Sequence, residues 1–356
     1  MKKLNVGIIG ATGIVGQRFI QLLENHPFFN VTCLAASASS AGKKYRDAVK
    51  KWDFGTIPQK FADMIVLDAA ADIDKIVNSV DFCFCAVNMK KDDIRALELS
   101  YAKKECPIVS NNSAHRDTPD VPMIIPEINP EHLEVIKAQK KRLGTKRGFI
   151  AVKSNCSLQS YVPLLHPLKK FGIKSVAITT YQAISGAGKT FETMPEIIDN
   201  LIPYINGEEQ KSELEPLKIW GEVKGGVIVN ATSPKITAQC LRVPVSNGHT
   251  AACFVSFERK PTKEEILKEW KNFAGEPQKL NLPSAPKQFI HYFDEDDRPQ
   301  PKLDRNLENG MAVSAGRLRE DSVFDYKFIG LSHNTLRGAA GGAILLAELL
   351  AQKGYF

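Results

Sequence analysis

The sequence lacks the long apolar runs and the paired cysteines that define membrane-spanning and disulfide-rich proteins. No window holds the roughly 18 uninterrupted apolar residues that a membrane span requires. The 7 cysteines are spread along the chain without a CxxC pair, which is typical of a protein with reduced thiols. Lys2 and Lys3 precede a short apolar run, but glycines and then Gln17 and Arg18 follow it, so we expect no secretion signal. These absences predict a cytoplasmic protein without a membrane partner.

Metal-ligand spacings and concentrated charge of one sign are also missing. The sequence has no HxxxH, HExxH or CxxC pattern, and we therefore expect no bound metal. Lysine and arginine exceed aspartate and glutamate by 47 − 40 = 7, a mild excess that suits an enzyme of phosphorylated anions. Because the basic residues are not concentrated in one patch, we expect no nucleic-acid partner.

Short apolar runs alternate with helical patterns in the first 150 residues. The 356 residues suggest two domains, and the 43% hydrophobic content excludes wholesale disorder. Leu4–Ile9 has strand character, and Ile14–Leu23 carries apolar residues at helical spacing. Strands that alternate with helices predict a parallel sheet covered on both faces. Further elements predicted here are strands at Val31–Ala36, Met64–Leu67, Asp81–Val87, Pro107–Ser110 and Phe149–Lys153, and a helix at Asp92–Lys104.

The pattern changes near residue 150, where longer strands follow one another with one clear helix among them, Lys263–Phe273, as in a mostly antiparallel sheet. Helices are also predicted from Cys156, over Glu192–Pro203 and over Leu336–Ala351, the last packing back on the first domain. We therefore predict an α/β protein with a Rossmann-type parallel sheet domain and an α+β domain with a mostly antiparallel sheet. The strands predicted for the second sheet are Ser175–Gln182, Ile236–Val243, Thr250–Glu258, Met311–Arg319 and Tyr326–Ser332.

A glycine-rich turn follows the first strand. Residues 7–16 read GIIGATGIVG and contain GxxGxxG at a strand-to-helix turn. Without side chains, Gly10 and Gly13 let the backbone approach a pyrophosphate, whose charge the helix N-terminus favours. The turn therefore predicts a bound dinucleotide, with a plain tight turn as the alternative. The cofactor-binding residues predicted in this turn are Gly10, Thr12, Gly13, Ile14 and Val15.

The end of the second strand indicates which dinucleotide binds. NAD-preferring sites usually carry an acid there, which binds the ribose hydroxyls. Residues 35–44 contain no acid but several hydroxyls and two cations, and these attract a 2′-phosphate that a carboxylate would repel. We therefore predict NADP as the cofactor, with a surface serine loop as the alternative. The residues predicted to bind near the 2′-phosphate are Ser37, Ser39, Ser40 and Lys43.

Cys156 is the candidate nucleophile. It lies where a strand ends and a helix begins, so the helix dipole and free N–H groups are expected to favour its thiolate and to hold an oxyanion. Most of the other cysteines lie in apolar strand patterns, where cysteine is usually inert. A thiol nucleophile needs an acid–base partner, and His249 follows a turn after a strand that ends near Arg242. The alternative for His249 is an exposed turn histidine.

Five motifs in order resemble those of aspartate-semialdehyde dehydrogenases of the archaeal and fungal branch. They are GATGIVGQRF from Gly10, SNC from Ser154, TYQAISGAGK from Thr180, LRVPVSNGH from Leu241 and NTLRGAA from Asn334. The resemblance covers nearly the whole chain. It implies the NADPH-dependent reductive dephosphorylation of L-aspartyl 4-phosphate to L-aspartate 4-semialdehyde, in the biosynthesis of lysine, threonine and methionine.

The resemblance also implies roles for individual residues. Cys156 attacks the acyl phosphate, the thioester accepts a hydride from NADPH, His249 is the general acid–base, and Gln182 orients the acyl intermediate. On local sequence alone, Glu215 and Lys218 would be a surface pair. The substrate-binding residues implied are Arg242 for the carboxylate, Glu215 for the α-ammonium, Lys218 and Arg116 for phosphate, and Asn155 beside the nucleophile, with Asn334 for the cofactor.

The implied division places residues 1–154 and 334–356 in an NADP-binding domain. Residues 155–333 then form a catalytic and dimerisation domain. The resemblance implies a homodimer or homotetramer, and we expect the helix predicted over residues 192–206 and the exposed strands to form the interface.

Three rival functions share part of this pattern. Malonyl-CoA reductase shares the glycine turn, the cysteine and the C-terminal motif, but its substrate has no ammonium and needs no acid such as Glu215. Acetylglutamyl-phosphate reductase has its nucleophile in a Gly-Cys context, unlike Asn155-Cys156. A non-catalytic NADP-binding module could lose the thiol or the base, whereas Cys156, His249 and Arg242 are all present.

Overall fold

A parallel seven-stranded sheet forms the first half of the fold, in a computed structural model that describes residues 2–356. Its strands are β1 (Leu4–Ile9), β2 (Phe29–Ala36), β3 (Leu67–Asp68), β4 (Phe82–Cys85), β5 (Ile108–Ser110), β6 (Met123–Ile124) and β7 (Ile150–Lys153). The strand order is β3-β2-β1-β4-β5-β7-β6, and every pair is parallel. Between β1 and β4 the order reverses, which opens a crevice at the carboxyl ends where dinucleotides bind in such sheets. The predicted Rossmann-type domain is confirmed.

The last helix of the chain belongs to this first sheet. The α-helices are α1 (Ile14–Leu23), α2 (Tyr45–Ala48), α3 (Gln59–Ala62), α4 (Ile73–Val77), α5 (Lys91–Lys103), α6 (Ile136–Leu143), α7 (Val162–Leu165), α8 (Glu208–Ile219), α9 (Lys263–Asn272), α10 (Glu276–Lys279), α11 (Pro301–Asp304), α12 (Leu307–Gly310) and α13 (Gly341–Gln352). Residues 341–350 of α13 are all buried, and all of them except Glu348 are apolar or glycine. They share one apolar cluster with Val6 and Ile8 of β1 and with Phe19 of α1. The chain therefore returns to its first domain, as predicted.

A mixed six-stranded sheet forms the second half. Its strands are β8 (Ile173–Gln182), β11 (Lys235–Arg242), β12 (His249–Phe257), β13 (Ile290–Phe293), β14 (Val313–Glu320) and β15 (Tyr326–Ser332), and a separate hairpin consists of β9 (Glu222–Lys224) and β10 (Val227–Val229). In the order β11-β8-β12-β15-β14-β13, the three central pairs are antiparallel and the two outer pairs are parallel. The prediction of a mostly antiparallel sheet is confirmed.

One face of the second sheet packs on the segment that follows Cys156. Alternate residues of β12, from His249 to Phe257, are buried, and those between them are half-buried. On the buried face Gly330 of β15 meets Ser160 so closely that a Cβ would lie 1.9 Å from the Ser160 carbonyl oxygen. The close contact fixes the chain after the candidate nucleophile onto the sheet, while the opposite face is less covered.

Two predicted helices are wrong. Over Glu192–Pro203 the structure has only a 3₁₀ turn at Pro195–Ile197, and Asp199 with φ of 56° takes the chain out of the helical region. After Cys156 there is no continuous helix but two 3₁₀ segments on either side of α7. Tyr161, with φ of −141°, separates the first 3₁₀ segment from α7.

Helix α8 was not predicted, because its sequence is dense in charge and contains Pro216. A proline cannot donate to the carbonyl four residues before it, here that of Ser212. The hydroxyl of Tyr161 donates to this carbonyl instead, at 3.1 Å. The side-chain donor lets α8 continue past the proline and ties it to the segment after Cys156.

Within residues 2–356, none of the helices has the length and apolar character needed to cross a bilayer. The same residues contain no group of three or more histidine, cysteine, aspartate or glutamate side chains arranged to hold a metal ion. All seven cysteines are free thiols.

Candidate active site

The segment 154–156 leaves β7 between the two sheets and is held by side chains on both sides. The backbone N–H of Asn155 donates to Oε2 of Glu215 at 2.7 Å. The hydroxyl oxygen of Ser154 accepts a hydrogen bond from Nε2 of Gln159 at 2.8 Å. These contacts set the direction in which the next side chain, Cys156, leaves the backbone.

Arg337 of the C-terminal motif supports this segment from the other domain. Its Nε donates to Oε1 of Gln159 at 3.0 Å, and its Nη1 donates to Oε1 of Glu127 at 2.7 Å. The guanidinium also lies over the ring of Phe289, 4.6 Å from the ring centre. No signal in the sequence apart from the motif itself indicates this supporting role of Arg337.

The structure brings Cys156 and His249 together. The Sγ atom of Cys156 lies 3.4 Å from Nε2 of His249. His249 is fully buried, so it is not an exposed turn residue. The backbone N–H of Ala183 donates to Nδ1 of His249 at 3.0 Å, which places the proton of the neutral ring on Nε2, facing the sulfur.

Burial lowers the pKa of His249 to about 3, and the positive charge of Arg242 acts in the same direction. The imidazole is therefore neutral throughout the neutral pH range. A neutral ring with its proton on Nε2 can donate a hydrogen bond toward the sulfur and toward an oxygen bound beside it.

The pKa of the Cys156 thiol is raised, whereas the sequence analysis expected the helix dipole to favour the thiolate. Burial raises this pKa and the carboxylate of Glu208 raises it further, while the cations of Lys153, Arg116 and Arg242 oppose the change without reversing it. The expected helix dipole is weak, because only a four-residue 3₁₀ segment begins after Cys156. The thiolate therefore depends on the side-chain cations around it.

Arg242 lies beside the Cys156–His249 pair. Its Nη1 donates to the carbonyl oxygen of Ala183 at 2.8 Å, and no carboxylate in residues 2–356 forms a salt bridge with it. A Cβ on Gly186 would lie 2.9 Å from this Nη1 and 3.0 Å from Cε1 of His249. The loop of residues 185–188 thus covers both groups and leaves a buried guanidinium available to an anion.

Glu208 is a buried carboxylate of the site that the sequence analysis missed. Both of its oxygens accept from Nδ2 of Asn155 at 3.0 Å, and Oε2 accepts from Nε2 of Gln182 at 3.2 Å. Lys211 donates to Oε1 at 2.8 Å. Although burial acts to raise the pKa of Glu208, the charge and hydrogen bond of Lys211 lower it overall. The first turn of α8 therefore presents an ionised carboxylate to the pair predicted as catalytic.

Glu215 and Lys218 lie near the site, but their polar atoms are used within the protein. One oxygen of Glu215 accepts from Nη1 of Arg116 at 3.0 Å, and the other accepts from Asn155 as described. The ammonium of Lys218 donates to three carbonyls, those of Arg116, Thr118 and Val121, at 2.7, 2.6 and 3.0 Å. Because an ammonium has three donors, the predicted phosphate contact of Lys218 has no donor left.

The predicted dinucleotide turn lines a cavity of about 450 Å³ at the carboxyl ends of β1, β2 and β4. Gly10, Thr12, Gly13 and Ser37 contribute to its wall. Val15 packs toward the apolar core and offers no side chain to this cavity. Ile14 lines a separate cavity of about 170 Å³, which places it closer to the second domain.

The loop after β2 is closed by its own contacts. The ammonium of Lys43 donates to the carbonyl oxygen of Ser39 at 2.8 Å, and the hydroxyls of Ser37 and Ser39 lie 3.0 Å apart. The backbone N–H of Ser40 donates to the carbonyl of Ser37 at 2.9 Å. Sequence analysis missed Asp68, which lines the same cavity from β3 and whose Oδ1 accepts two backbone N–H groups of the next turn.

Asn334 joins the two domains at the smaller cavity. Its Nδ2 donates to the hydroxyl of Ser185 at 2.8 Å, and its Oδ1 accepts from the backbone N–H of Gly248 at 2.8 Å. Ser185 and Thr335 line this cavity together with Ile14. Asn334 therefore connects the loop that contains Ser185 and covers His249 to the turn at Gly248, which precedes His249. This connection lies at the border of the predicted cofactor site.

Comparisons with known proteins agree with this architecture. The profile of the semialdehyde dehydrogenase NAD binding domain matches residues 5–136, and that of the semialdehyde dehydrogenase dimerisation domain matches residues 165–337. The chain is 43% identical over 350 residues to the aspartate-semialdehyde dehydrogenase of Methanothermobacter thermautotrophicus, with 98% of this chain and 99% of that protein covered. It is 44% identical over 355 residues to the Schizosaccharomyces pombe enzyme of the same name, with 98% of each covered.

A solved structure agrees with the fold as well. The crystal structure of aspartate semialdehyde dehydrogenase with NADP from Candida albicans superposes with a TM-score of 0.89 at 40% identity, and the match covers the whole of both chains.

The two lysines of α8 have different partners, since Lys218 donates to three backbone carbonyls and Lys211 pairs with a carboxylate. We therefore expect their replacement to change the stability of the fold by different amounts. Lys218→Met leaves three carbonyls without their donor, and we expect it to lower the free energy of unfolding by about 2 to 4 kcal/mol. Lys211→Met removes a partly exposed ammonium from the buried Glu208, whose oxygens keep their hydrogen bonds from Asn155 and Gln182, and we expect a smaller loss of about 1 kcal/mol. Urea unfolding of both variants, followed by circular dichroism, measures the difference. Equal losses would contradict the supporting role of Lys218.

Proposed function

This chain belongs to the aspartate-semialdehyde dehydrogenase family, and on that premise we propose that the residues around Cys156 carry out the family reaction. That reaction is the NADPH-dependent reductive dephosphorylation of L-aspartyl 4-phosphate to L-aspartate 4-semialdehyde. One observation carries the assignment of the site: Sγ of Cys156 lies 3.4 Å from Nε2 of His249, inside a buried group of charged side chains.

The charges of the site match those of the substrate. Arg242 is a buried cation without a carboxylate partner among residues 2–356, and it binds the α-carboxylate with its bidentate fork. Glu208 binds the α-ammonium. A malonyl substrate has no ammonium group that this carboxylate could bind. We assign this contact to Glu208 in place of Glu215, because Glu215 is neutralised by Arg116.

Lys211 and Arg116 are the cations for the phosphate. Both line a cavity of about 560 Å³ whose wall includes Met123 of β6 on one side and residues of α8 on the other. Lys211 is paired with Glu208, 2.8 Å from its Oε1. When the substrate ammonium takes the place of the Lys211 ammonium on Glu208, Lys211 is released toward the phosphate. We assign Lys218 to the support of Arg116, whose carbonyl it holds.

Cys156 and His249 perform the bond changes. The thiolate of Cys156 attacks the acyl carbon, forms a thioester and releases phosphate. The Nε2–H of His249 donates a hydrogen bond to the negative charge that develops on the acyl oxygen, and the ring keeps this proton when the thiolate leaves. Asn155 and Gln182, held through Glu208, orient the acyl group. Thiolate leaves far more readily than hydroxide, so the thioester makes reduction to an aldehyde accessible.

The cofactor cavity fits the dinucleotide that supplies the hydride when bound. Gly10 has φ of 89°, and a Cβ there would lie 2.4 Å from the Ala86 carbonyl oxygen, so the fold itself requires this glycine. At Gly13 a Cβ would have one neighbour within 4 Å, at 3.6 Å, so the chain leaves open space beside it. A pyrophosphate at the start of α1 would use that space. We retain NADP as the cofactor, with Ser37, Ser39, Ser40 and Lys43 near its 2′-phosphate and Asn334 at its other end.

We also retain the domain boundaries, with residues 1–154 and 334–356 around the cofactor and residues 155–333 around the substrate. The seven free thiols support a reducing compartment, and we propose the cytoplasm.

The assay of the reverse reaction tests the proposed function. We expect aspartate semialdehyde, phosphate and NADP to produce NADPH, seen by its absorbance, only when phosphate is present. Cys156→Ala removes the nucleophile and is expected to lower the rate at least about 1000-fold. Cys33→Ala, in the parallel sheet, is the matched control and keeps its activity. NADPH oxidation with malonyl-CoA, or phosphate-independent turnover, would contradict the proposal.

Glu208→Gln separates the two effects of that carboxylate. We expect kcat/KM for aspartate semialdehyde to fall about 100-fold, since the ammonium loses its buried partner. The same change removes the charge that raises the pKa of Cys156, so alkylation of this thiol by iodoacetamide at pH 8 is expected to become several-fold faster. Glu209→Gln, the neighbouring residue in α8, is the control. A fall of equal size in both variants would contradict the role of Glu208.

A second copy of this chain is the partner we propose. Ile198, Leu201 and Tyr204 are large apolar residues with exposed fractions of 58%, 43% and 59%. They lie beside the edge strand β11, to which Ile202 is bridged through Arg242. We retain this segment in the proposed interface, although it is not the predicted helix. We propose a homodimer through this surface, with a homotetramer as the second candidate.

Light scattering after gel filtration tests the assembly. We expect the mass of two chains, and we expect Leu201→Asp to shift it to the mass of one chain, because a buried charge would oppose the contact. Val323→Asp, at an exposed turn elsewhere, is the control. An unchanged mass for Leu201→Asp would exclude this surface as the interface.

A further inference from the structure

Gln17 is a buried glutamine in the first turn of α1 that none of the roles above uses. Its exposed fraction is 3%. Glutamine is mostly exposed in folded proteins, and a buried one needs partners for both the oxygen and the nitrogen of its amide. The residues just before it in the chain are those of the predicted dinucleotide turn.

Both ends of the Gln17 amide are used, and they join two separate segments. Its Nε2 donates to the carbonyl oxygens of Thr12 and Lys51 at 3.1 and 2.8 Å, and its Oε1 accepts from the backbone N–H of Asp53 at 3.1 Å. A flipped amide would place its oxygen against two carbonyls, so these partners define its orientation. Gln17 therefore ties the dinucleotide turn to residues 51–54, which we call the 51–54 loop.

Aromatic rings make a second connection between the same two segments. The hydroxyl of Tyr45 donates to the carbonyl oxygen of Ala11 at 2.8 Å. The ring of Tyr45 meets that of Trp52 edge-on with 6.3 Å between their centres, and Trp52 meets Phe54 in the same way at 6.0 Å. The position of Phe54 thus depends on the dinucleotide turn at two points.

Phe54 lines the cavity of about 170 Å³, together with Ile14 and Ser185. The guanidinium of Arg18 lies over the Phe54 ring, 3.7 Å from its centre, and donates to the hydroxyl of Thr335 at 3.3 Å. A cation over an aromatic face is an attractive contact that holds the ring in place. The ring is therefore fixed from one side and available to a ligand in the cavity.

This smaller cavity suits the nicotinamide end of the cofactor. It begins at Ile14, the first residue of α1, and reaches the loop of residues 185–188, which covers His249. The reactive ring of the cofactor has to lie near the acyl carbon on Cys156, and so at the end nearest this loop. The cavity of about 450 Å³ lined by Ser37 is left for the adenosine end.

The 51–54 loop also contacts the second domain. Lys51 forms an exposed ion pair with Glu192, and residues 189–191 line the same small cavity. An exposed ion pair contributes little free energy, so the three buried hydrogen bonds of Gln17 hold the loop more firmly.

We propose that Gln17 is a positioning residue for the cofactor. Its amide sets the position of Phe54 beside the nicotinamide end relative to the turn that receives the pyrophosphate. One side chain thus couples the two halves of the cofactor site, and it acts through the 51–54 loop and not on the reacting atoms. This inference rests on the proposed function for the identity of the cofactor.

Binding of NADPH without substrate, followed by its fluorescence, tests this proposal. Gln17→Glu keeps an acceptor for Asp53 but places a carboxylate against two carbonyls, and we expect it to weaken NADPH binding about 10-fold. Adenosine 2′,5′-bisphosphate fills only the adenosine end, and we expect its affinity, measured by calorimetry, to stay within about twofold. Gln21→Glu, one turn later in α1, keeps its acceptor for Arg18 and is the control that leaves both affinities unchanged.

Phe54→Ala distinguishes positioning from a general loss of structure. We expect it to weaken NADPH binding about as much as Gln17→Glu, and the double variant to bind no more weakly than either single one, because both changes remove the same contact. Additive losses, equal weakening of NADPH and the bisphosphate, or an unchanged NADPH affinity in Gln17→Glu would overturn the proposal. Gln17→Met gives the same comparison if Gln17→Glu does not fold, as judged by circular dichroism.

Failure of the proposed function has a different signature. A wild-type chain that does not bind NADPH would overturn the cofactor assignment and this inference together. NADPH binding that neither Gln17→Glu nor Phe54→Ala changes would overturn only the role of Gln17.

Discussion

The buried ion pair between Arg116 and Glu215 is the constraint on which the geometry around Cys156 depends. Arg116 also donates to the carbonyl of Lys153 at the end of β7 and to that of Asn111 just after β5, while Glu215 receives the N–H of Asn155. One pair of charges therefore fixes two strands of the first sheet, helix α8 and the backbone of the nucleophile. Removing one partner of such a pair typically costs about 3 to 5 kcal/mol, because it leaves a buried charge alone.

The chemistry of the site follows from how its charges are distributed. A small zwitterion with a phosphate needs cations at two places and an anion at a third, and all of these charges must be largely removed from water to act strongly. The protein supplies them on separate elements, with Arg242 from β11 and Glu208 and Lys211 from α8. His249 is kept neutral by the same burial, so its Nε2–H can donate a hydrogen bond in the site without adding a fourth charge.

Most of the fold could be predicted from the sequence, because apolar runs and helical spacing indicate directly which residues are buried. It failed where local signals conflict with tertiary contacts, as in α8, whose proline is compensated by a hydroxyl from a residue more than fifty positions earlier. The site shows the same limit. Glu208 and Lys211 are three residues apart on α8, and so are Glu215 and Lys218, one heptad later on the same face. Spacing cannot distinguish the two pairs, and only the three-dimensional neighbours show which carboxylate is neutralised by an arginine.

The bridge between Ile202 and Arg242 connects the outer surface of the molecule to its interior. Two backbone hydrogen bonds, at 2.8 and 3.0 Å, join the strand residue that carries the buried guanidinium to the exposed apolar segment. Because Arg242 is bonded to this segment, its position is more rigid when the segment is buried in an interface than when it is exposed to water. In the homodimer proposed above, dilution would expose this segment to water, and we expect activity to fall on dilution before any secondary structure is lost.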